Sequence, residues 1–81
     1  MEQPTQALHL QRRDPSRNMA RFYRLSVERS LFGCAALVRE WGRIGTSGRR
    51  RLDLFAEAAD AEAALCKLAA SKRRRGYRDA G

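Results

Sequence analysis

The sequence predicts an α+β domain: a small antiparallel sheet of about four strands with one C-terminal helix packed on one face. Three observations predict it. Apolar and polar residues alternate with a period of two in successive short segments. Turn-forming residues separate those segments. From about Ala58 the period changes to three and four residues and stays so to Arg74. Hairpin-linked strands followed by one helix is an α+β order, and 81 residues hold a single domain. Its limits are expected at residues 6–79, after a flexible N-terminus of residues 1–5 that contains Pro4.

Leu8 and Leu10 alternate with His9 and Gln11, which predicts a short first strand. Asp14-Pro15-Ser16-Arg17-Asn18 is a turn, because Pro15 cannot donate to a central ladder. In residues 21–28, Tyr23, Leu25 and Val27 share one face, and Phe22, Arg24, Ser26 and Glu28 the other. Aromatic and β-branched residues at this alternation predict a strand with one buried face. Residues 29–33, which hold Ser30 and Gly33, make a reversal. Residues 34–43 form a third strand, and Ile44 to Gly48, with two glycines and two small hydroxyl residues, a loop. Arg49 to Phe55 alternate again, with Leu52 and Leu54 on one face.

The helix carries Ala61, Ala64, Leu65, Leu68 and Lys72 along one stripe. The stripe is narrow and half of its apolar residues are alanine, so the helix must lie close to the sheet. Glu57, Asp60 and Glu62 at its start and Lys72 to Arg75 at its end complement the helix dipole. Gly76 is placed to cap it, and Tyr77 to dock back on the domain.

Charge is the strongest compositional fact. Seventeen Lys and Arg against nine Asp and Glu give a net charge of +8, and Lys67 and Lys72 are the only lysines. Such a field attracts polyanions, nucleic acid first and an anionic surface second. The longest apolar run, Cys34 to Val38, is far short of a membrane span, and no secretory h-region is visible. A cytoplasmic protein is expected, nucleoid-associated if bacterial. Cys34 and Cys66 sit among apolar neighbours in sequence and read as small packing residues. With His9 they make three scattered potential ligands, where a structural zinc site needs four. No metal, no cofactor and no catalytic constellation is expected.

Candidate binding residues remain. Trp41 has a flat face that stacks on a base or sugar, and it equally suits the core of a small domain. Arg39 and Arg43 share its face of the strand. Arg49, Arg50 and Arg51 form a basic loop edge; Lys72 to Arg75 form a basic helix end that is also an ordinary solvated last turn.

The string Trp41-Gly42-Arg43-Ile44-Gly45-Thr46-x-Gly48 resembles the signature of the WGR domain family. Asn18-x-x-Arg21-Phe22-Tyr23 resembles the start of that family's second strand. Leu31-Phe32-Gly33 resembles its turn before the signature strand, and Lys72-x-x-Arg75-Gly76-Tyr77 its Lys-x-x-Lys/Arg-Gly-Tyr end. The pieces stand in order over residues 7–78. The resemblance implies a small antiparallel sheet with one helix across it. WGR domains occur in DNA-dependent poly(ADP-ribose) polymerases, where they bind DNA breaks and relay that binding, and in bacteria, alone or fused. By motif position it implies that Trp41 packs on the sugar at a 5′ DNA end, that Lys72 contacts DNA, and that Arg43 supports DNA and interdomain contacts. Gly42 and Gly45 then serve backbone geometry.

The reading is a stand-alone, non-catalytic DNA-binding module for ends or nicks, with little sequence specificity. Trp41 stacks, while Arg43, Lys72 and some of Arg49 to Arg51 hold phosphates; Arg39 and Arg75 lie close enough in sequence to assist. Phe22, Tyr23, Gly42, Gly45, Gly48, Gly76 and Tyr77 are motif residues with structural roles. The alternative is a protein-interaction module in which Trp41 and Arg43 anchor an acidic or DNA-processing partner. RNA is a third possible partner, and no membrane partner is expected.

Overall fold

The computed structural model describes residues 6–29 and 33–80. The expectations for residues 1–5 and for Ser30, Leu31 and Phe32 lie outside the described residues. Strands β1 (Gln6–Asp14), β2 (Met19–Arg29), β3 (Ala35–Arg43) and β4 (Arg49–Phe55) precede helix α1 (Ala58–Arg74), and a two-residue strand β5 (Arg78–Asp79) follows it. They build one antiparallel sheet in the order β4-β3-β2-β1-β5. The antiparallel sheet with one helix is as expected, and a short fifth strand adds to the about four that periodicity shows. Two residues carry no periodicity, and β5 exists because Arg78 and Asp79 return beside Gln11 and Leu10.

The first strand is longer than Leu8–Gln11. It runs in register with β2 from Gln6 opposite Val27 to Asp14 opposite Met19. Pro15 to Arg17 form a single 3-10 turn. That turn closes at Asn18, whose φ of 51° is left-handed and whose N–H donates to the Pro15 carbonyl at 3.1 Å.

Helix α1 lies over β2 and β3. Ala61, Leu65 and Ala69, spaced by four, are buried against Leu10, Tyr23, Leu25, Val27, Ala35 and Leu37. Alanine at two of the three closest positions lets the helix approach the sheet. Fully buried Leu10, Leu25, Leu37 and Leu65 contribute about 2 kcal/mol each. Cys66 departs from its expected packing role and is exposed, while Cys34 is half-buried. Cys66 neighbours Leu65 in sequence, but one residue is about 100° of turn around a helix, which takes it off the buried stripe.

The helix ends in a Schellman motif. The Gly76 N–H donates to the Arg73 carbonyl and the Tyr77 N–H to the Lys72 carbonyl, both at 3.1 Å, with Gly76 at φ +97°. This turn swings Tyr77 back onto the core and launches β5.

The face of β4 holding Leu52 and Leu54 points away from the helix. Register places Arg49, Arg51, Asp53 and Phe55 opposite Trp41, Arg39, Leu37 and Ala35 on the helix side. Leu52 and Leu54 stand opposite Val38 and Ala36 on the other side.

An exposed two-pronged pair ties the end of α1 to β5. Arg73 Nε and Nη2 donate to the two Asp79 carboxylate oxygens, each at 2.9 Å. This bond holds the Asp79 carboxyl below its ordinary value of 3.8. A carboxyl depressed on folding stabilises above its unfolded pKa, and the contribution disappears as pH falls through the folded value. Asp79→Asn is therefore expected to lower the urea midpoint slightly at pH 7, because the pair is exposed and screened. The difference from wild type should close as pH falls below about 4. A gap persisting at pH 2.5 would show that the residue acts through something other than its charge.

Candidate nucleic-acid interface

The register of β2 on β3 builds the site. Tyr23 pairs with Trp41 and Arg21 with Arg43, so two aromatics and two guanidiniums occupy neighbouring rungs on the helix side. Trp41 stacks on Tyr23, with ring centroids 5.8 Å apart and planes 17° apart. Tyr77 meets Tyr23 edge-on at 6.4 Å and 82°. Lys72, from the last turn of α1, brings Nζ to 4.4 Å from the Tyr23 ring centre and 5.7 Å from that of Tyr77.

These groups line an open cleft of about 590 Å³, together with Arg17 and Asn18 from the turn before β2 and Arg21 from β2 itself. Trp41 is half-buried and packs against the core. It is thus both a packing residue and a wall of the cleft.

The Lys72 ammonium is held below its ordinary pKa, first by partial burial, then by repulsion from Arg75 and Arg39. Folding leaves this cation under-compensated at the mouth of the cleft. An anion placed there would relieve the repulsion, and a phosphate oxygen has the charge to do so.

The other candidates lie apart. Arg39 is mostly buried on the helix side, with Nη2 3.1 Å from Asp53 and Nε buried with no hydrogen-bond partner. Arg51 donates to the other Asp53 oxygen at 3.0 Å. These two guanidiniums therefore meet at Asp53, off the cleft lining. Arg49 stands opposite Trp41, exposed and outside the lining; Arg50 stands opposite Glu40 on the far face. Arg75 caps the helix.

Phe22 also faces away from the cleft. It is buried, with the Arg24 guanidinium 4.8 Å over its ring and His9 edge-on at 6.5 Å. The β3–β4 loop closes on it. Thr46 donates twice to the Arg43 carbonyl, from N at 3.1 Å and from Oγ1 at 2.8 Å. A Cβ built on Gly48 would lie 2.2 Å from the Trp41 carbonyl oxygen, and one on Gly42 would lie 2.8 Å from the Gly48 Cα. Gly42 and Gly48 thus serve close backbone approach, while Gly45 has open space around its Cβ position.

Arg17, Asn18 and Arg21 are cleft residues that sequence reasoning did not assign. A signal existed. Arg21 lies in the quoted Asn18-x-x-Arg21-Phe22-Tyr23 string, and pairing Tyr23 with Trp41 obliges Arg21 to face Arg43. Tyr23 and Tyr77, read as structural, form the floor beneath Lys72.

Among the described residues, no cluster of three His, Cys, Asp or Glu side chains could hold a metal ion, and no helix is long and apolar enough to cross a membrane. An uncharacterized protein of Sinorhizobium fredii, y4dW, is 49% identical over 71 residues, covering 88% of this chain and 35% of that protein. The chain thus spans about a third of the length of that curated relative. No solved structure matches it. The family model of the WGR domain matches residues 6–81. That match extends over both the Trp41 strand and the Lys72 helix end that frame the cleft, and the chain belongs to the WGR domain family.

Proposed function

We propose that this domain binds DNA at ends or nicks, without catalysis and with little sequence specificity. The observation that carries the reading is the cleft itself. Arg17, Arg21, Arg43 and Lys72 surround the half-buried Trp41 ring within one open, polar recess. Membership of the WGR family is consistent with nucleic-acid binding in general. A chain end offers a sugar or base face beside phosphates, and the cleft offers an aromatic wall beside cations. In continuous duplex the stacked bases have no free face to offer Trp41. Among the described residues no element presents a row of side chains suited to reading base edges in the major groove, so phosphate contacts would position the protein without reading sequence.

The test is fluorescence anisotropy of a 5′-phosphorylated nicked duplex, with closed circular DNA as competitor. Wild type should be displaced poorly by the circle. Trp41→Leu keeps an apolar side chain over Tyr23 but removes the flat face. It should weaken binding to the nick roughly tenfold to a hundredfold, the range of one lost stacking contact. Near-ultraviolet spectra of Tyr23 and Tyr77 would check that the variant is folded. Equal competition by the circle, with no effect of Trp41→Leu, would reduce the binding to charge attraction. Competition by single-stranded RNA in the same assay separates the two nucleic acids.

A further inference from the structure

Strand β4 is an edge of the sheet. It pairs with β3 on one side only. Its outer face carries Leu52 and Leu54, 54% and 68% exposed, the large apolar side chains left exposed among the described residues. A strand paired at this edge would bring neighbouring side chains against both.

We propose that β4 pairs antiparallel with β4 of a second copy of this chain, centred on Leu52, joining two five-stranded sheets into one. The strand carries both signs of charge on its helix-side face, at Arg51 and Asp53, which suits pairing with its own copy and fixes the register. A two-fold axis perpendicular to the sheet requires residues on the same face to meet, and three such registers centre on the middle of β4. Centring on Arg51 sets Arg51 against its own copy, and centring on Asp53 sets Asp53 against its own copy. Both put like charges directly opposite, which destabilises a pair. Centring on Leu52 sets each Arg51 against Asp53 of the second copy.

Arg51 already bonds Asp53 within one strand at 3.0 Å, so the dimer would extend that pair into an alternating ladder of four charges. On the other face Leu52 meets Leu52, and each Leu54 meets Arg50 of the second copy, whose aliphatic stem covers apolar surface. Each Arg49 falls opposite a half-buried Phe55. The basic triplet Arg49 to Arg51 would ordinarily guard an edge against pairing. Here it occupies one end of the strand, and antiparallel pairing carries it to the opposite end of its copy.

Helix α1 of both copies would then lie on one side of the joined sheet. From strand spacing and rise, the two Trp41 residues would stand about 25 Å apart on that side.

Sedimentation equilibrium of the whole chain tests this, in about 300 mM salt to screen the net positive charge. Wild type should show a monomer–dimer equilibrium that Leu52→Lys shifts at least tenfold toward monomer. Leu52→Lys replaces an exposed side chain, so the fold should persist by circular dichroism. Register is tested by crosslinking in a Cys34→Ser, Cys66→Ser background. Leu52→Cys should give a disulfide-linked dimer under mild oxidation much faster than Leu54→Cys, because only position 52 lies on the axis. A chain that stays monomeric at all concentrations, a Leu52→Lys variant as dimeric as wild type, or equal crosslinking at both positions would overturn the proposal.

Discussion

Gly48→Ala is expected to lower the unfolding free energy by about 4 kcal/mol, while Gly45→Ala in the same loop costs about 1 kcal/mol. Both glycines have left-handed φ, +69° at Gly48 and +96° at Gly45, so backbone strain alone does not separate them. Space does. Nothing lies within 4 Å of a Cβ at Gly45, but at Gly48 it meets the Trp41 carbonyl oxygen at 2.2 Å and the Phe22 ring at 2.9 Å. The carbonyl is backbone at the end of β3 and cannot rotate aside as a side-chain tip does. Relief requires the loop to lift from Phe22, which exposes a buried ring. A domain of this size is stable by roughly 4–12 kcal/mol, so the loss is a large share of the total. Urea unfolding of both variants measures it. Equal costs at the two positions would mean that the loop relaxes freely and that Gly48 is not packed as described. Because the clash is with Trp41 itself, any folded Gly48→Ala should also bind DNA more weakly.

Most of the fold was legible because its elements obey simple periods. Tyr23, Leu25 and Val27 announced the buried face of β2, and Ala61 and Leu65 lie on the predicted helical stripe, to which the structure adds Ala69. What was not legible depended on pairing across the sheet. Leu52 and Leu54 alternate as buried residues do, but alternation cannot say which face the helix will take. The neighbouring Arg51 and Asp53 go inward because Asp53 meets Arg39 from β3. β5 is invisible to any period, being two residues fixed by the turn at Gly76. The same distinction runs through the site. Trp41, Arg43 and Lys72 were marked by motif and converge on the cleft. Arg39 shares the Trp41 face as the alternation required, but its charge is directed at Asp53, a partner 14 residues away in sequence. Arg17 and Arg21 enter the cleft through the register of β2 on β3 and the turn at Pro15, neither of which a linear string records.

The second large effect expected is on salt. Raising salt from about 50 to 200 mM should weaken DNA binding roughly 150-fold, if the four cations of the cleft each meet a phosphate. Arg17, Arg21, Arg43 and Lys72 supply those charges. Each contact releases counterions from the DNA, so the slope of log affinity against log salt counts the contacts. Lys72→Met should reduce the loss to roughly 40-fold over the same range, as for three contacts. The variant has a distinctive profile because of where Lys72 sits. Its ammonium is held below its ordinary pKa by burial and by Arg75 and Arg39, so the charge is a cost to the free protein. A methionine keeps the contact with the Tyr23 and Tyr77 rings while removing that cost. The loss of the cation over Tyr23 offsets the gain, and net stability should change by less than about 1 kcal/mol. A residue serving the fold alone would lose stability and leave the salt slope untouched; Lys72 should do the reverse. Protein association through an apolar anchor would give a shallow slope in both proteins, and that result would move the search from DNA to a protein partner.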